Sequence, residues 1–371
     1  MKKFFILAVA ALAAFSCTEK KAGYTVTVNV EDDDFTSFIL TNREKENPVA
    51  DTVAVVDKKA VFNGSVEGFD VRYIMGVKEG VEPEYLGRLF LENANYTVSF
   101  TADGDHFHSN IESDGPIQMQ FDSLNNVIKA VYEKNNMHEL EKLYEAGDQK
   151  VKDSIMNIVK GVGDEIEVIT NDFYAKNPLC PLALENAASD IRYVGLDSAR
   201  KLVEKFAAVP AFATNRLFKN MQKELEKKEA LAPGKQAPDF TLNDPEGNPV
   251  KFSEVYPKNK VTMIDFWASW CGPCRKFNPT LTQIYAKYNK KGFGILGVSL
   301  DREQEKWVEA IKADKLVWQH VSDLKFWNSE AGQLYNISSI PQSYFVDSEG
   351  KILLASPSED QIESFLAEYL K

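Results

Sequence analysis

Trp267-Ala268-Ser269-Trp270-Cys271-Gly272-Pro273-Cys274-Arg275 decides how the rest of the chain is read. An apolar, β-rich run, Val261-Thr262-Met263-Ile264-Asp265-Phe266, leads into it. After it, Phe277, Leu281, Ile284 and Tyr288 recur at helical spacing. Two cysteines two residues apart, between a strand and a helix, read as a redox pair. Cys271 falls just before the helix, where the positive end of the helix dipole stabilises a thiolate. Gly272 and Pro273 suit the tight turn, since a proline in the first helical turn leaves no N–H unsatisfied. Cys274, one turn further in, is placed to attack a mixed disulfide formed at Cys271. A zinc half-site would need two more ligands at knuckle spacing, and none stand there. Haem attachment would need His after the second cysteine, and Arg275 is there instead.

Asp265 lies in the apolar strand, six residues before Cys271. A desolvated carboxyl has a raised pKa, so Asp265 is the candidate base for the Cys274 proton during resolution. A structural, hydrogen-bonding carboxylate is the alternative.

Strand, Asp265, Phe266-Trp267-Ala268, Trp270-Cys271-Gly272-Pro273-Cys274, helix and a later Ile340-Pro341 come in an order that resembles thioredoxin. The stretch from about Pro233 to Lys371 resembles the membrane-tethered, extracytoplasmic thiol–disulfide oxidoreductases of the ResA/TlpA type. That resemblance implies a thioredoxin-like α/β domain with a mixed sheet, no cofactor, disulfide-containing protein substrates and an upstream membrane thiol donor. It implies a cis peptide at Ile340-Pro341, whose flanking backbone would pair with an extended substrate segment. Trp270 would form the rim of the site and Trp267 its floor or core. Trp307, Trp318 and Trp327 read as packing or surface aromatics. The sequence departs from thioredoxin in one respect. Thioredoxin pairs this Asp with a Lys in the next strand, and Ile295 to Leu300 contains none. Asp301, near the end of that strand, is a second candidate acid.

Two other functions stay open. Ala237-Pro238-Asp239-Phe240 is shared with peroxiredoxins, which suggests a thiol peroxidase. That chemistry needs Thr or Ser three residues before the reactive cysteine, where Ala268 stands. The other is a non-catalytic binding lipoprotein with a vestigial redox module. Gly-Pro between the cysteines resembles reducing members more than strong oxidants.

The 371 residues are 44% hydrophobic and carry a net charge of −12, mostly before Pro233. Such acidity excludes nucleic acid as a partner class. Met1-Lys2-Lys3, the apolar run Phe4 to Phe15, and Ser16-Cys17 resemble a bacterial lipoprotein signal, with Cys17 lipidated after cleavage. The expected location is therefore the cell envelope, lipid-anchored and facing the periplasm or surface. Cys180, in an apolar setting without a basic neighbour, reads as a buried, inert thiol.

The predicted organisation is multidomain α+β. Residues 1–17 are the signal peptide and lipobox, and 23–112 an antiparallel β-sandwich or barrel. Residues 113–231 are a helical spacer, and 232–371 the thioredoxin-like domain. Seven short alternating segments between Tyr24 and Phe100 support the β region. His106 and His108 read as a solvated loop rather than a metal site, and Glu31-Asp32-Asp33-Asp34 as a charged turn. Helices are predicted from about Pro116, from Gly147 or Asp148 with a bend at Gly161 and Gly163, and in shorter pieces up to Leu231.

Overall fold

A computed structural model describes residues 22–371 apart from 31–33, 45–47 and 104–105, and no side chain of 101–108. The segment ending in Cys17, the residues Glu31 to Asp33, and the side chains of His106 and His108 lie outside the described residues. Among the described residues no helix is long and apolar enough to cross a membrane. The described chain forms two compact units. Residues up to Asn186 with Phe206–Lys219 make one, and Ala187–Lys205 with Asn220–Lys371 the other.

The first unit begins with eight strands: β1 (Tyr24–Asn29), β2 (Phe35–Thr41), β3 (Ala50–Ala54), β4 (Lys59–Gly64), β5 (Asp70–Lys78), β6 (Glu84–Leu91), β7 (Asn95–Asp103) and β8 (His106–Ser113). They form two four-stranded sheets, ordered β4-β1-β7-β8 and β3-β2-β5-β6. Pairing is antiparallel except between β1 and β7. Val26, Val28, Phe38, Leu40, Phe62, Ile74, Leu89 and Val98 fill one core with side chains from both sheets, so the β region is a sandwich. The expected loop at His106 and His108 is instead the start of β8, paired with β7 through Asp103↔His106 and Thr101↔His108. As an edge strand, β8 carries few apolar residues and gives little period-two signal.

Helices α1 (Pro116–Lys134), α2 (Met137–Ala146), α3 (Gln149–Lys176), α4 (Pro181–Asp190), α5 (Leu196–Ala207) and α6 (Arg216–Ala230) follow. The Asp148 side chain caps α3 by accepting from Val151 N–H at 3.0 Å. The helix runs unbroken through Gly161 and Gly163. A Cβ at either glycine would meet only open space. Asn215 and Arg216 tie the Phe206–Lys219 segment to the sandwich. Asn215 Nδ2 donates to Phe69 O at 2.9 Å, and Arg216 Nη2 meets Asp70 Oδ1 at 2.6 Å.

The second unit holds the mixed sheet. Its elements are β9 (Thr241–Asn243), β10 (Pro249–Lys251), β11 (Val261–Trp267), α7 (Gly272–Tyr288), β12 (Phe293–Ser299), α8 (Gln304–Ala313), β13 (Gln319–Ser322), α9 (Glu330–Leu334), β14 (Gln342–Asp347), β15 (Ile352–Ala355) and α10 (Glu359–Tyr369). Strand order is β10-β9-β13-β12-β11-β14-β15. The central strand β11 runs parallel to β12 and antiparallel to β14. Every residue of β11 is buried, as a continuous apolar strand covered on both faces should be. Val261, Met263 and Trp267 pack beneath Phe277, Leu281 and Ile284 of α7 on one face. Ile264 and Phe266 meet Phe240, Phe252 and Tyr335 on the other. The predicted α+β class is what the chain adopts: a β-rich start, a helical middle and a thioredoxin-like end.

Candidate redox site

The chain leaves β11 at Trp267, turns through Ala268 to Trp270 and enters α7. Cys271 is the N-cap residue of α7, with extended backbone, and its Sγ accepts the Cys274 N–H at 3.2 Å. One orphan donor of the helix end therefore points at the sulfur that a thiolate would occupy. Cys271 and Cys274 are joined as a disulfide, with S–S 1.98 Å and Cα–Cα 5.3 Å. Both are nearly inaccessible, at 4% and 2% exposure. Gly272 and Pro273 occupy the first turn, and a Cβ at Gly272 would meet nothing.

Two braces hold this turn. Asp301 is buried and accepts from Ser269 N–H at 3.0 Å, Ser269 Oγ at 2.5 Å and Ser299 Oγ at 2.7 Å. Arg275 donates from Nη1 to Ser269 O at 3.1 Å and from Nη2 to Asp314 at 2.8 Å. Asn278 Nδ2 joins Asp314 at 2.6 Å. Asp301, expected as a second acid, thus accepts hydrogen bonds at both oxygens and fixes the loop that presents Cys271.

Asp265 is 5% exposed, on the same face of β11 as Met263 and Trp267. Burial pushes its carboxyl up to about 7. That value suits a group that must take a proton near neutrality and release it again.

The Ile340–Pro341 peptide is cis. Pro341 immediately precedes β14, and Gln342 pairs with Phe266 across the β11–β14 ladder. The cis-proline turn and the cysteine turn therefore leave the same ends of two adjacent strands. Pro341 and Gln342 also line a cleft of about 440 Å³ with Ser339, Arg192 and Lys228. Trp270 is 47% exposed and clusters with Phe326 at 5.1 Å and Trp327 at 5.9 Å between ring centroids. Arg302 lies over Phe326, with 4.1 Å from its guanidinium carbon to the ring centroid. Trp327, read from sequence as a packing or surface aromatic, packs in this cluster. Trp267, Trp307 and Trp318 are buried in the core. Cys180 is half-buried rather than buried, and its sulfur accepts from Ala183 N–H at 3.4 Å near the start of α4.

His320 on β13 was not singled out from sequence. It is buried, packed edge-on to Trp267 at 5.4 Å and stacked on Trp318 at 5.9 Å. Its one local signal is a histidine between Trp318 and Val321 in a strand of four residues, too short to show a period.

A family model described as the AhpC/TSA family matches residues 233–355, and one described as a domain of unknown function (DUF4369) matches 24–121. Thiol-disulfide oxidoreductase ResA of Bacillus thuringiensis subsp. konkukian is 32% identical over 150 residues, covering 39% of this chain and 80% of that protein. ResA of Bacillus anthracis is 30% identical over 147 residues, covering 38% and 79%. The crystal structure of the thioredoxin domain of a thiol-disulfide oxidoreductase from Bacteroides vulgatus is 35% identical. It covers 38% of this chain and 99% of its own, with a TM-score of 0.35.

Proposed function

Because this chain belongs to the ResA family of thiol–disulfide oxidoreductases, we propose that it reduces protein disulfides outside the cytoplasm through Cys271 and Cys274. One observation carries the reading. Cys271 caps α7, its sulfur accepts a helix-end N–H, and the second sulfur is at bonding distance. In the dithiol form the Cys271 thiolate attacks a substrate disulfide and expels one substrate thiolate, leaving a mixed disulfide. Asp265 takes the proton of Cys274. The new thiolate attacks Cys271 Sγ and releases the second substrate sulfur. Two electrons pass to the substrate, and the protein is left with the Cys271–Cys274 disulfide. An upstream membrane thiol donor resets it.

Substrate would lie over Trp270, Gly272 and Pro273, with its backbone against Ile340 and Pro341. The position of the cis turn beside the cysteine turn supports this. In this reading residues 232–371 carry the chemistry, behind the β-rich region 23–112 and the helical region 113–231. Cys17 carries the lipid anchor in the envelope. Mass spectrometry of the mature N-terminus checks the anchor: a diacylglyceryl thioether on Cys17 is expected, and cleavage at another residue removes it.

Insulin reduction with an external reductant tests the chemistry. Wild type is expected to reduce insulin, Cys271→Ser to be inactive, and Cys274→Ser to accumulate mixed disulfides with its partners. The AhpC/TSA match favours a second reading, thiol peroxidase. Rapid peroxide consumption without insulin reduction is the outcome that would select it, although Ala268 offers no hydroxyl at the position that chemistry uses.

A further inference from the structure

A row of four residues crosses the mixed sheet. Ser343 pairs with Asp265, Asp265 with Gly297, and Gly297 with His320. Paired residues on neighbouring strands point to the same face. That face is the one covered by α7, since Met263, Trp267, Ile295, Trp318 and Phe345 share its core with both cysteines. The row therefore brings the Asp265 carboxyl and the His320 imidazole to one side, with a residue lacking a side chain between them. The imidazole uses that gap: a Cβ on Gly297 would lie 2.3 Å from His320 Nδ1 and 2.6 Å from Cε1. The imidazole therefore lies on the Asp265 face, over the strand that separates the two residues. Neither ring nitrogen has a hydrogen-bond partner among the described residues. A buried polar group in that condition calls for a reason.

We propose that His320 is a positioning residue for the proton of Asp265, donating an imidazole N–H to the carboxylate across the gap at Gly297. The inference rests on Asp265 acting as the base for Cys274. The structure is the disulfide form; the bond belongs to the dithiol form, when Asp265 is charged and waiting for the Cys274 proton. Burial pushes His320 down to about 3, so the imidazole is neutral and can donate without adding a charge.

The groups facing His320 are few. From β11 come Asp265 and Trp267, from β12 Gly297 and Ser299, and from β13 Trp318. The helices that cover this face bury Cys274, Phe277, Asn278, Leu281, Ile284 and Tyr288 from α7 and Trp307 and Ala310 from α8, and Tyr285 lies 5.3 Å from Trp318 between ring centroids. The ionisable side chains among these are Asp265, Tyr285, Tyr288 and, once the disulfide is reduced, Cys274. The nearby acids Asp301 and Asp314 are engaged by Ser269, Ser299, Arg275 and Asn278.

A hydrogen bond to a charged group is worth enough to move a pKa by about one unit. The test measures the Asp265 carboxyl by ¹³C NMR against pH in the reduced full-length protein, and single-turnover reduction of a disulfide peptide against pH. His320→Leu is expected to raise the Asp265 midpoint and the acid limb of the rate by about one unit, which makes the rate about tenfold lower below the midpoint and unchanged above it. His320→Asn, which retains a donor, should restore most of the shift. Gly297→Ala, with its Cβ on the imidazole, should reproduce the Leu result. In wild type, the His320 ¹⁵N signals should move with the Asp265 midpoint and lose that inflection in Asp265→Asn. An unchanged Asp265 midpoint in His320→Leu, or flat wild-type imidazole signals from pH 5 to 9, overturns the inference. Wild type that reduces no disulfide removes the functional reading alone, and the carboxyl titration still decides whether the two side chains are coupled.

Discussion

Asp265 is a carboxyl in a strand whose every residue is buried, with desolvation as the cause of its raised pKa. Replacing it with Asn removes the base without changing its shape. Resolution of the mixed disulfide at pH 7 is expected to slow by about a hundredfold, the low end of what general base catalysis contributes. Quenched-flow with a preformed mixed disulfide measures this step. At pH 8 the same variant should be more stable than wild type by about 4 kcal/mol, because it no longer holds a charge in the core. The difference should close as pH falls below about 4, where the unfolded carboxyl is protonated too. The cysteines and Asp265 could be picked out in the sequence because each stands within a few residues of its own context, a strand, a turn or a helix start, whereas Pro341 was marked only by the resemblance to thioredoxin. His320 could not. Its surroundings are Gly297 and Asp265, which lie 23 and 55 positions away and meet it only through the strand register. Asp301 was visible as an acid but not as a brace, since its partners Ser269 and Ser299 come from two different strand ends.

At the scale of elements, the turn between β11 and α7 depends on that brace. Asp301→Ala leaves the Ser269 N–H and the two serine hydroxyls without their acceptor. A loss of about 3 kcal/mol in urea unfolding is expected. Asp301→Asn separates a brace from a base: as a brace it lowers stability and leaves the pH profile of insulin reduction in place. A shifted profile would make Asp301 an acid in the reaction. Amphipathic helices with a buried stripe were legible, and α7 buries Phe277, Leu281, Ile284 and Tyr288 as its spacing predicts. Helix α2 was not assigned from sequence. It has no buried residue and no side-chain cap, so neither of the usual signals marks it. Between Phe326 and Leu334 the chain divides at Ser329 into a single 3₁₀ turn and α9. The Ser329 hydroxyl accepts from Gly332 N–H at 3.5 Å and starts the second piece as an N-cap.

For the whole molecule, the α+β class follows from the sequence because period-two and helical patterns occupy different thirds of the chain. The division into two compact units does not. The helical region contributes residues to both, and an apolar stripe on a helix says that it is buried without saying against which sheet. Stability against pH is also a property of the whole, and the row through Gly297 sets it in an unusual way. Asp265 keeps its proton on folding until about pH 7, so its contribution falls as pH rises from about 4 to 7. His320 stays neutral on folding down to about pH 3, so its contribution falls as pH drops from about 6.5 to 3. Between about 4 and 6.5 the two slopes are equal and opposite. A protein that meets mild acid would thus carry two mutually offsetting titrations in its core, and their effects on its urea midpoint should cancel there, leaving a plateau in their joint contribution. Taking away either partner should tilt that plateau: towards weakness in acid for Asp265→Asn, towards strength in acid for His320→Leu.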